Sequence, residues 1–256
     1  MGILLYDKNA DYSAVSVGHA GLYTSVTDDL LSLFELRRSA SKAGNNSAPA
    51  NPARASIAGA PTFYDTSMGL TATGQIVFPS QPTNGGETTA AIILKIKNGG
   101  SSPDQPFGSS TTTPATNGIC YFAHYNRELT FQSTLFDAQE LPATYQASVS
   151  AALTIGTGEY DGTFQLFVAT LKSEDAVKLH WPKRGLVGSV AIASGRYAYF
   201  NQAPALAGRR WAARAGGSAN FEGSMFAHWD RVLSDDEIAT FYAEMKEQFG
   251  LIGLEI

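Results

Sequence analysis

Aromatic side chains near hydrogen-bonding side chains are the clearest candidates for chemistry in this sequence. Such combinations bind saccharides, because a ring packs on the apolar face of a sugar while a polar neighbour binds its hydroxyl groups. The candidates for carbohydrate binding are Tyr121, Tyr125, Arg127, Trp181 and Trp211. Alternation along an extended strand would place Tyr121 and Tyr125 on one face. Packing in the core is the alternative for each ring, since aromatic residues dominate sandwich interiors.

The four histidines and the single cysteine show no spacing typical of a catalytic or metal site. His19, His124, His180 and His228 do not form the His-Glu-x-x-His pattern of metalloproteases. No Gly-x-Ser-x-Gly motif indicates a serine nucleophile. We therefore predict structural roles for His124 and His180, and a buried apolar environment for Cys120. A single cysteine also excludes an internal disulfide.

Composition limits the classes of function. The chain has 256 residues, which suits one large all-β domain or two small ones. Its net charge of -5 argues against a nucleic-acid-binding protein, which usually carries a basic patch. No apolar run reaches the roughly 20 residues of a membrane-spanning helix. The start, MGILLYDKNADYS, becomes charged too early for a secretory signal, so we expect synthesis in the cytoplasm.

Short β-like segments dominate the middle of the chain. They are rich in β-branched and aromatic residues and are bounded by Gly, Pro, Asn or Ser. They occupy 73–79, 88–97, 117–126, 128–134, 144–155, 163–172, 176–181, 188–193, 209–215 and 223–229. Many short strands separated by turns predict a sandwich or a barrel. The low-complexity stretch 97–118 is predicted to be a long loop, and 27–39 fits neither the helical nor the strand period.

The C-terminal region carries the strongest helix signal. Ser234 and Glu237 have the spacing of a capping box, directly after the strand-like 223–229. One helical face then collects Ile238, Phe241, Tyr242, Met245 and Phe249. This pattern predicts an amphipathic helix that ends near Gly250 and packs on the edge or end of the sheet structure.

The stretch FEGSMFAHWDRVLSDDEIATFYAEM resembles the closing motif of concanavalin A-like, laminin-G-type jelly rolls. The stretches FQLFVATLKSEDAVKLHWPKRG and DDLLSLFELRRSASKAGNNSA are similar to further strands of that family. The resemblance implies an all-β, concanavalin A-like jelly-roll sandwich of antiparallel strands over 27–256, with a C-terminal amphipathic helix. It also implies that 27–39 contains a strand and that Trp229 packs beneath the helix. Residues 1–26, a short apolar stretch followed by small residues, are predicted to form an N-terminal arm or a short edge strand.

The same resemblance bears on activity. Hydrolases of this fold carry Glu-x-Asp-x-x-Glu on one strand, whereas Glu159 and Asp161 have no third acid after them. We therefore predict that the protein is not an enzyme and needs no cofactor. Some laminin-G-type domains hold calcium, and Asp104, Asp137, Asp161 and Asp175 are the candidate oxygen ligands for that alternative.

The segment DKNADYSAVSVG, placed before such a domain, resembles bacteriophage tail or fibre proteins. The sequence thus predicts a non-enzymatic virion protein whose lectin-like domain binds a host-surface glycan or a neighbouring virion subunit. The alternatives are a polysaccharide-degrading glycosidase and a purely structural capsid or tail decoration module. The apolar residues 3–6 predict attachment to a neighbouring subunit and a homo-oligomer, with a trimer as the first expectation.

Overall fold

The computed structural model describes residues 21–49, 51, 53–70, 74–79, 87–96, 104–110, 120–125, 128–136, 146–155, 162–197, 210–214 and 221–256. The strands are β1 (Leu30–Glu35), β2 (Ser56–Ala58), β3 (Thr62–Phe63), β4 (Met68–Leu70), β5 (Gln75–Val77), β6 (Glu87–Lys95), β7 (Asp104–Ser110), β8 (Cys120–Tyr125), β9 (Glu128–Phe136), β10 (Gln146–Thr154), β11 (Phe164–Lys172), β12 (Ala176–Trp181), β13 (Leu186–Ala191), β14 (Arg210–Arg214) and β15 (Phe221–Trp229). The helices are α1 (Ala40–Ala43), a 3₁₀ turn (Pro182–Arg184) and α2 (Asp235–Gly250).

These strands form two antiparallel sheets. Sheet 1 has the order β13-β12-β11-β6-β15-β4-β3, with β1 also paired to β15. Sheet 2 has the order β10-β9-β8-β7-β14-β5-β2. Residues from both sheets, such as Phe131 and Phe167, share one buried cluster between them. The prediction of an all-β fold built from antiparallel strands is confirmed, and the jelly-roll connectivity stays a prediction.

The two sheets differ in how their outer faces are covered. In sheet 1, β11 is buried continuously from Phe164 to Leu171, because its residues pack alternately between the sheets and beneath α2. In sheet 2, the buried residues of β9 alternate with partly exposed ones such as Thr130. That alternation is typical of a sheet with one face in the core and the other towards solvent.

Helix α2 has the cap that the sequence predicted. The Ser234 Oγ accepts a hydrogen bond from the Glu237 backbone N–H at 3.3 Å, and the Ser234 N–H donates to the Glu237 carboxylate at 2.8 Å. Arg231 also donates two hydrogen bonds to that carboxylate, at 2.6 and 3.0 Å. The buried helix residues Ile238, Phe241, Met245 and Phe249 cover the outer face of sheet 1. The predicted amphipathic helix is therefore present at 235–250.

Replacing Ser234 with alanine should lower the free energy of unfolding by about 0.5–2 kcal/mol, because the Glu237 backbone N–H loses the Ser234 hydroxyl as its hydrogen-bond partner. Urea denaturation monitored by circular dichroism measures this change. The matched control is Lys246→Gln on the exposed surface of the same helix, which should change stability by less than about 0.5 kcal/mol. Equal midpoints for the wild type and Ser234→Ala would contradict the assignment of the cap.

Residues 21–26, assigned to the arm in the sequence analysis, pack against α2. Leu22 and Val26 are buried in the cluster beneath the helix. The Thr24 hydroxyl donates a hydrogen bond to the Glu244 carboxylate at 2.6 Å, and Gln248 binds the backbone of Tyr23. An arm can therefore include only residues before 21, which lie outside the described residues, as do residues 3–6.

Two segments contain strands that their local composition did not predict. The stretch 97–118, predicted to be a loop, contains β7, which pairs with both β8 and β14. The ambiguous 27–39 contains β1, as the resemblance implied. The Asn46 side chain protects the free edge of β1 by accepting from the Leu33 N–H at 2.8 Å and donating to the Leu31 carbonyl at 2.9 Å. Pairing partners distant in sequence thus decide both assignments.

Candidate functional site

The predicted tyrosines lie on β8 in sheet 2. Their neighbour Phe122 is buried in the core. In the register of β8 and β9, Tyr121 is opposite Gln132 and Tyr125 is opposite Glu128. Arg127 lies outside the described residues. The contact of Tyr121 and Tyr125 with a saccharide stays a prediction.

The two predicted tryptophans have different positions. Trp181 is wholly buried, its indole N–H donates to the Gln165 side chain at 3.2 Å, and its ring centroid lies 5.5 Å from that of Phe167. It offers no exposed ring face, so the core alternative describes Trp181 in this structure. Trp211 lies on β14 opposite Ser109 of β7, and its contact with a sugar stays a prediction.

His180 and His228 are both buried in sheet 1. His228 is wholly buried, with its Nε2 3.0 Å from the Thr88 hydroxyl, and burial lowers the pKa of its imidazole to about 3. His180 on β12 is also buried, and burial lowers its pKa. Both imidazoles are therefore neutral at neutral pH.

A row of residues across five strands of sheet 1 forms a polar site that the sequence analysis did not identify. Thr62 of β3 is opposite Gly69 of β4, and Gly69 is opposite Glu222 of β15. The Lys95 ammonium of β6 lies 3.0 Å from the Glu222 carboxylate, and Lys95 is opposite Phe164 of β11. We call Tyr64, Ser67, Gly69, Lys95 and Glu222 the Glu222 site.

Tyr64 supplies an exposed aromatic face to the Glu222 site. Tyr64 directly follows β3 in the chain, and the residue is 48% exposed. A Cβ on Gly69 would lie 3.4 Å from the Tyr64 Cε2, so the ring rests directly above the glycine. The Tyr64 N–H donates to the Ser67 carbonyl at 2.8 Å, which closes the hairpin between β3 and β4. The ring is therefore held next to Glu222 while part of it faces solvent.

The charged pair of the Glu222 site is held in place by neighbouring groups. The Glu222 carboxylate accepts hydrogen bonds from the Lys95 ammonium at 3.0 Å and from the Ser67 hydroxyl at 3.3 Å. The Lys95 ammonium also lies 5.7 Å from the centroid of the Phe164 ring, within the range of a cation–π contact. The side chains of Glu222 and Lys95 remain 17% and 32% exposed. The site can therefore donate to and accept from the hydroxyl groups of a ligand on the Tyr64 ring.

The Glu222 carboxylate is arranged for hydrogen bonding. Among the five residues of the Glu222 site it is the carboxylate, and it is already paired with the Lys95 ammonium group. Glycoside hydrolysis by the usual mechanism needs two carboxyl groups about 5–10 Å apart. Glu159 and Asp161, the acids that the sequence singled out, lie outside the described residues.

A concavity lies beside β1. It has a volume of about 170 Å³ and is lined by Gly21, Glu35, Lys42, Asn45 and Ser47. Its carboxylate, Glu35, forms an ion pair with Arg37, which is buried and also donates to the Asp65 carbonyl. No aromatic side chain is among these lining residues, so this pocket lacks the platform that the Glu222 site has.

The calcium candidates are spread over different parts of the chain. Asp175 is exposed and lies 3.6 Å from the Lys172 ammonium, while Asp104 is on β7. Asp137 and Asp161 lie outside the described residues. Within the part of the chain that the structure describes, no three His, Cys, Asp or Glu side chains group in a way that could hold a metal ion. No helix in that part is long and apolar enough to span a membrane.

No family model and no curated protein matches the sequence. Solved structures do match the fold. The receptor binding domain of botulinum neurotoxin D is similar with a TM-score of 0.60 and 9% identity, over 86% of this chain and 54% of that chain. The ligand binding domain of botulinum neurotoxin serotype D, in complex with N-acetylneuraminic acid, has a TM-score of 0.58 and 11% identity over 86% and 52%.

The binding domain of Paraclostridial Mosquitocidal Protein 1 is similar to the same degree. Its TM-score is 0.57 and its identity 10%, over 84% of this chain and 52% of that chain. The protein thus spans about half the length of the solved binding domains it matches. At these identities the similarity concerns the fold alone, and the chain has the sheet-rich, lectin-like fold found in these binding domains.

Proposed function

We propose that this protein is a non-enzymatic glycan-binding module and that the Glu222 site contacts the glycan. The observation that carries the proposal is the exposed Tyr64 ring, held above Gly69 and beside the paired Glu222 and Lys95. A sugar ring would stack on Tyr64, and its hydroxyl groups would bind the carboxylate and the ammonium. The comparisons support this proposal, since the similar structures are receptor-binding and ligand-binding domains, one of them in complex with a sugar acid.

One ring and one charged pair make few contacts with a ligand. We therefore expect a dissociation constant on the order of 1 mM for a single site, equivalent to about 4 kcal/mol. Binding to a cell surface would then depend on several sites acting together. Tyr121 and Tyr125 of β8 in sheet 2 are proposed as further contacts for a longer glycan.

The biological setting is proposed from the sequence resemblance. In this proposal the module belongs to a phage tail, fibre or other virion component and binds a glycan of the host surface. A neighbouring virion subunit is the alternative ligand. The pairing of the Glu222 carboxylate with the Lys95 ammonium supports this non-enzymatic function over the hydrolase alternative.

Replacing Tyr64 with alanine should weaken glycan binding about tenfold, because a loss of about 1.4 kcal/mol follows when the stacking surface is removed. Binding is measured on immobilised oligosaccharides that end in either galactose or N-acetylneuraminic acid. Tyr23→Ala is the matched control, since Tyr23 is similarly exposed (52%) but lies beside α2. It should bind as the wild type does.

A second variant, Glu222→Gln, tests the polar half of the site with little change in shape. It should also weaken binding, because the ion pair with Lys95 is lost and the hydroxyl acceptor becomes weaker. If Tyr64→Ala and Glu222→Gln both bind normally while Tyr121→Ala and Tyr125→Ala do not, the glycan binds sheet 2 and the Glu222 site is wrongly assigned. Release of reducing sugar by the purified protein would overturn the non-enzymatic function.

A further inference from the structure

The concavity beside β1 collects polar side chains whose hydrogen-bonding capacity is not used within the fold. We call it the β1 pocket, and its lining residues are Gly21, Glu35, Lys42, Asn45 and Ser47. Within the described part of the chain, no group binds the Lys42 ammonium or the Ser47 hydroxyl. Asn45 accepts a hydrogen bond from Arg54 through its Oδ1, which leaves its amide N–H groups as donors.

The β1 pocket carries an unbalanced positive charge. The buried Arg37 guanidinium donates through Nε and Nη2 to one oxygen of the Glu35 carboxylate, so this ion pair is neutral. The Lys42 ammonium adds a charge that no carboxylate among the described residues pairs with. An ammonium group with amide and hydroxyl donors beside it suits a carboxylate or a sulfate, because hydrogen bonds to a charged group are the strong ones. The second oxygen of Glu35 remains as an acceptor for a hydroxyl group.

The size of the β1 pocket suits part of a ligand. Its volume of about 170 Å³ is below the roughly 300–1,000 Å³ of pockets that enclose a whole small molecule. Gly21 keeps this space open, because a Cβ at that position would collide with the Ser47 Oγ. The pocket can therefore take one polar residue of a larger molecule.

The β1 pocket and the Glu222 site lie on the same face of sheet 1. Glu35 is opposite Met225 of β15, and Lys95 is opposite Phe164 of β11. Met225 and Phe164 both belong to the buried cluster beneath α2, and residues opposite each other in a sheet share a face. Met225 follows Glu222 by three residues, which is about 10 Å along an extended strand. A disaccharide or trisaccharide can bridge that distance.

We propose that the β1 pocket is a second subsite for the glycan and binds an anionic sugar residue through its carboxylate or sulfate group. Lys42, Asn45 and Ser47 donate to the anion, and Glu35 accepts from a hydroxyl group of the same sugar. A neighbouring sugar stacks on Tyr64. The inference rests on the proposed function, because the Glu222 site holds the rest of the glycan.

The test compares binding to three immobilised oligosaccharides that end in galactose, in sulfated galactose or in N-acetylneuraminic acid. The wild type should bind at least one acidic ligand about tenfold more tightly than the neutral one, and the tighter of the two identifies the anion. Lys42→Gln should lose this preference and still bind the neutral ligand as the wild type does. The matched control is Lys246→Gln, which removes the same charge from the exposed surface of α2 and should keep the preference.

A second variant, Asn45→Asp, keeps the acceptor for Arg54 but replaces the amide donors with a negative charge. It should weaken binding of the acidic ligand and leave binding of the neutral one unchanged, whereas Tyr64→Ala should weaken both. Equal binding of neutral and acidic ligands by the wild type would overturn the subsite and leave the proposed function standing. A preference for acidic ligands that survives Lys42→Gln would also overturn it. If none of the three ligands binds, the proposed function fails, and the subsite fails with it.

Discussion

Replacing Trp229 with alanine should lower the free energy of unfolding by about 3–5 kcal/mol. Trp229 is wholly buried between sheet 1 and α2, and its ring meets Phe241 edge-on, with centroids 4.9 Å apart and planes at 87°. Its indole N–H donates to the Val26 carbonyl at 2.9 Å. The variant would leave a cavity beneath the helix and remove the partner of a buried carbonyl group.

Urea denaturation followed by circular dichroism at 222 nm measures this loss. Trp229→Phe is the informative control, because it keeps an aromatic ring against Phe241 but loses the hydrogen bond to Val26. We expect it to cost about 1–3 kcal/mol. A loss below about 1 kcal/mol in Trp229→Ala would contradict the finding that this ring connects the helix, the sheet and residues 21–26.

Acidification from pH 7 to pH 5 should lower the free energy of unfolding by about 2 kcal/mol through His228 alone. Burial lowers the pKa of His228 from 6.5 to about 3. Between these pH values the unfolded chain binds a proton on this imidazole and the folded protein does not. The contribution of His228 to the free energy of unfolding is therefore fully present above pH 6.5 and is lost progressively as the pH falls towards 3.

A second titrating group, Glu237, affects stability only at lower pH, so its effect can be measured separately from that of His228. The Arg231 guanidinium lowers the pKa of the Glu237 carboxyl from 4.5 to about 2. Its contribution to stability is present above pH 4.5 and is lost as the pH falls towards 2. Because Glu237 is partly exposed, solvent screening makes this contribution small.

The variant His228→Gln tests the assignment, since glutamine keeps a hydrogen-bond partner for Thr88 but has no proton to gain in this range. Its stability should change much less between pH 7 and pH 5 than that of the wild type. His180→Gln is the matched variant at the other buried histidine, whose pKa burial also lowers, and it should flatten the slope in part. Equal slopes in the wild type and His228→Gln would contradict the role of His228.

Most of the candidate site could not be predicted from the sequence. Tyr64, Lys95 and Glu222 belong to three distant segments, and only the register of sheet 1 brings them together. The Tyr64 ring also reaches its place over Gly69 only through the hairpin of β3 and β4. Conversely, Trp181 resembles a sugar-binding ring in sequence but is buried, because β11 supplies Gln165 and Phe167 to surround it.

Features that rest on local interactions could be predicted from the residues alone. The capping box of α2 joins Ser234 and Glu237 within one helical turn, and strands such as β6 and β11 follow from the residues that compose them. Three other features became visible only in the folded structure: the low-complexity stretch contains β7, α2 covers sheet 1, and β13 is an edge strand among the described residues. The physical reason is that burial, register and edge position arise from contacts between segments far apart in the chain, and no local pattern of residue types records them.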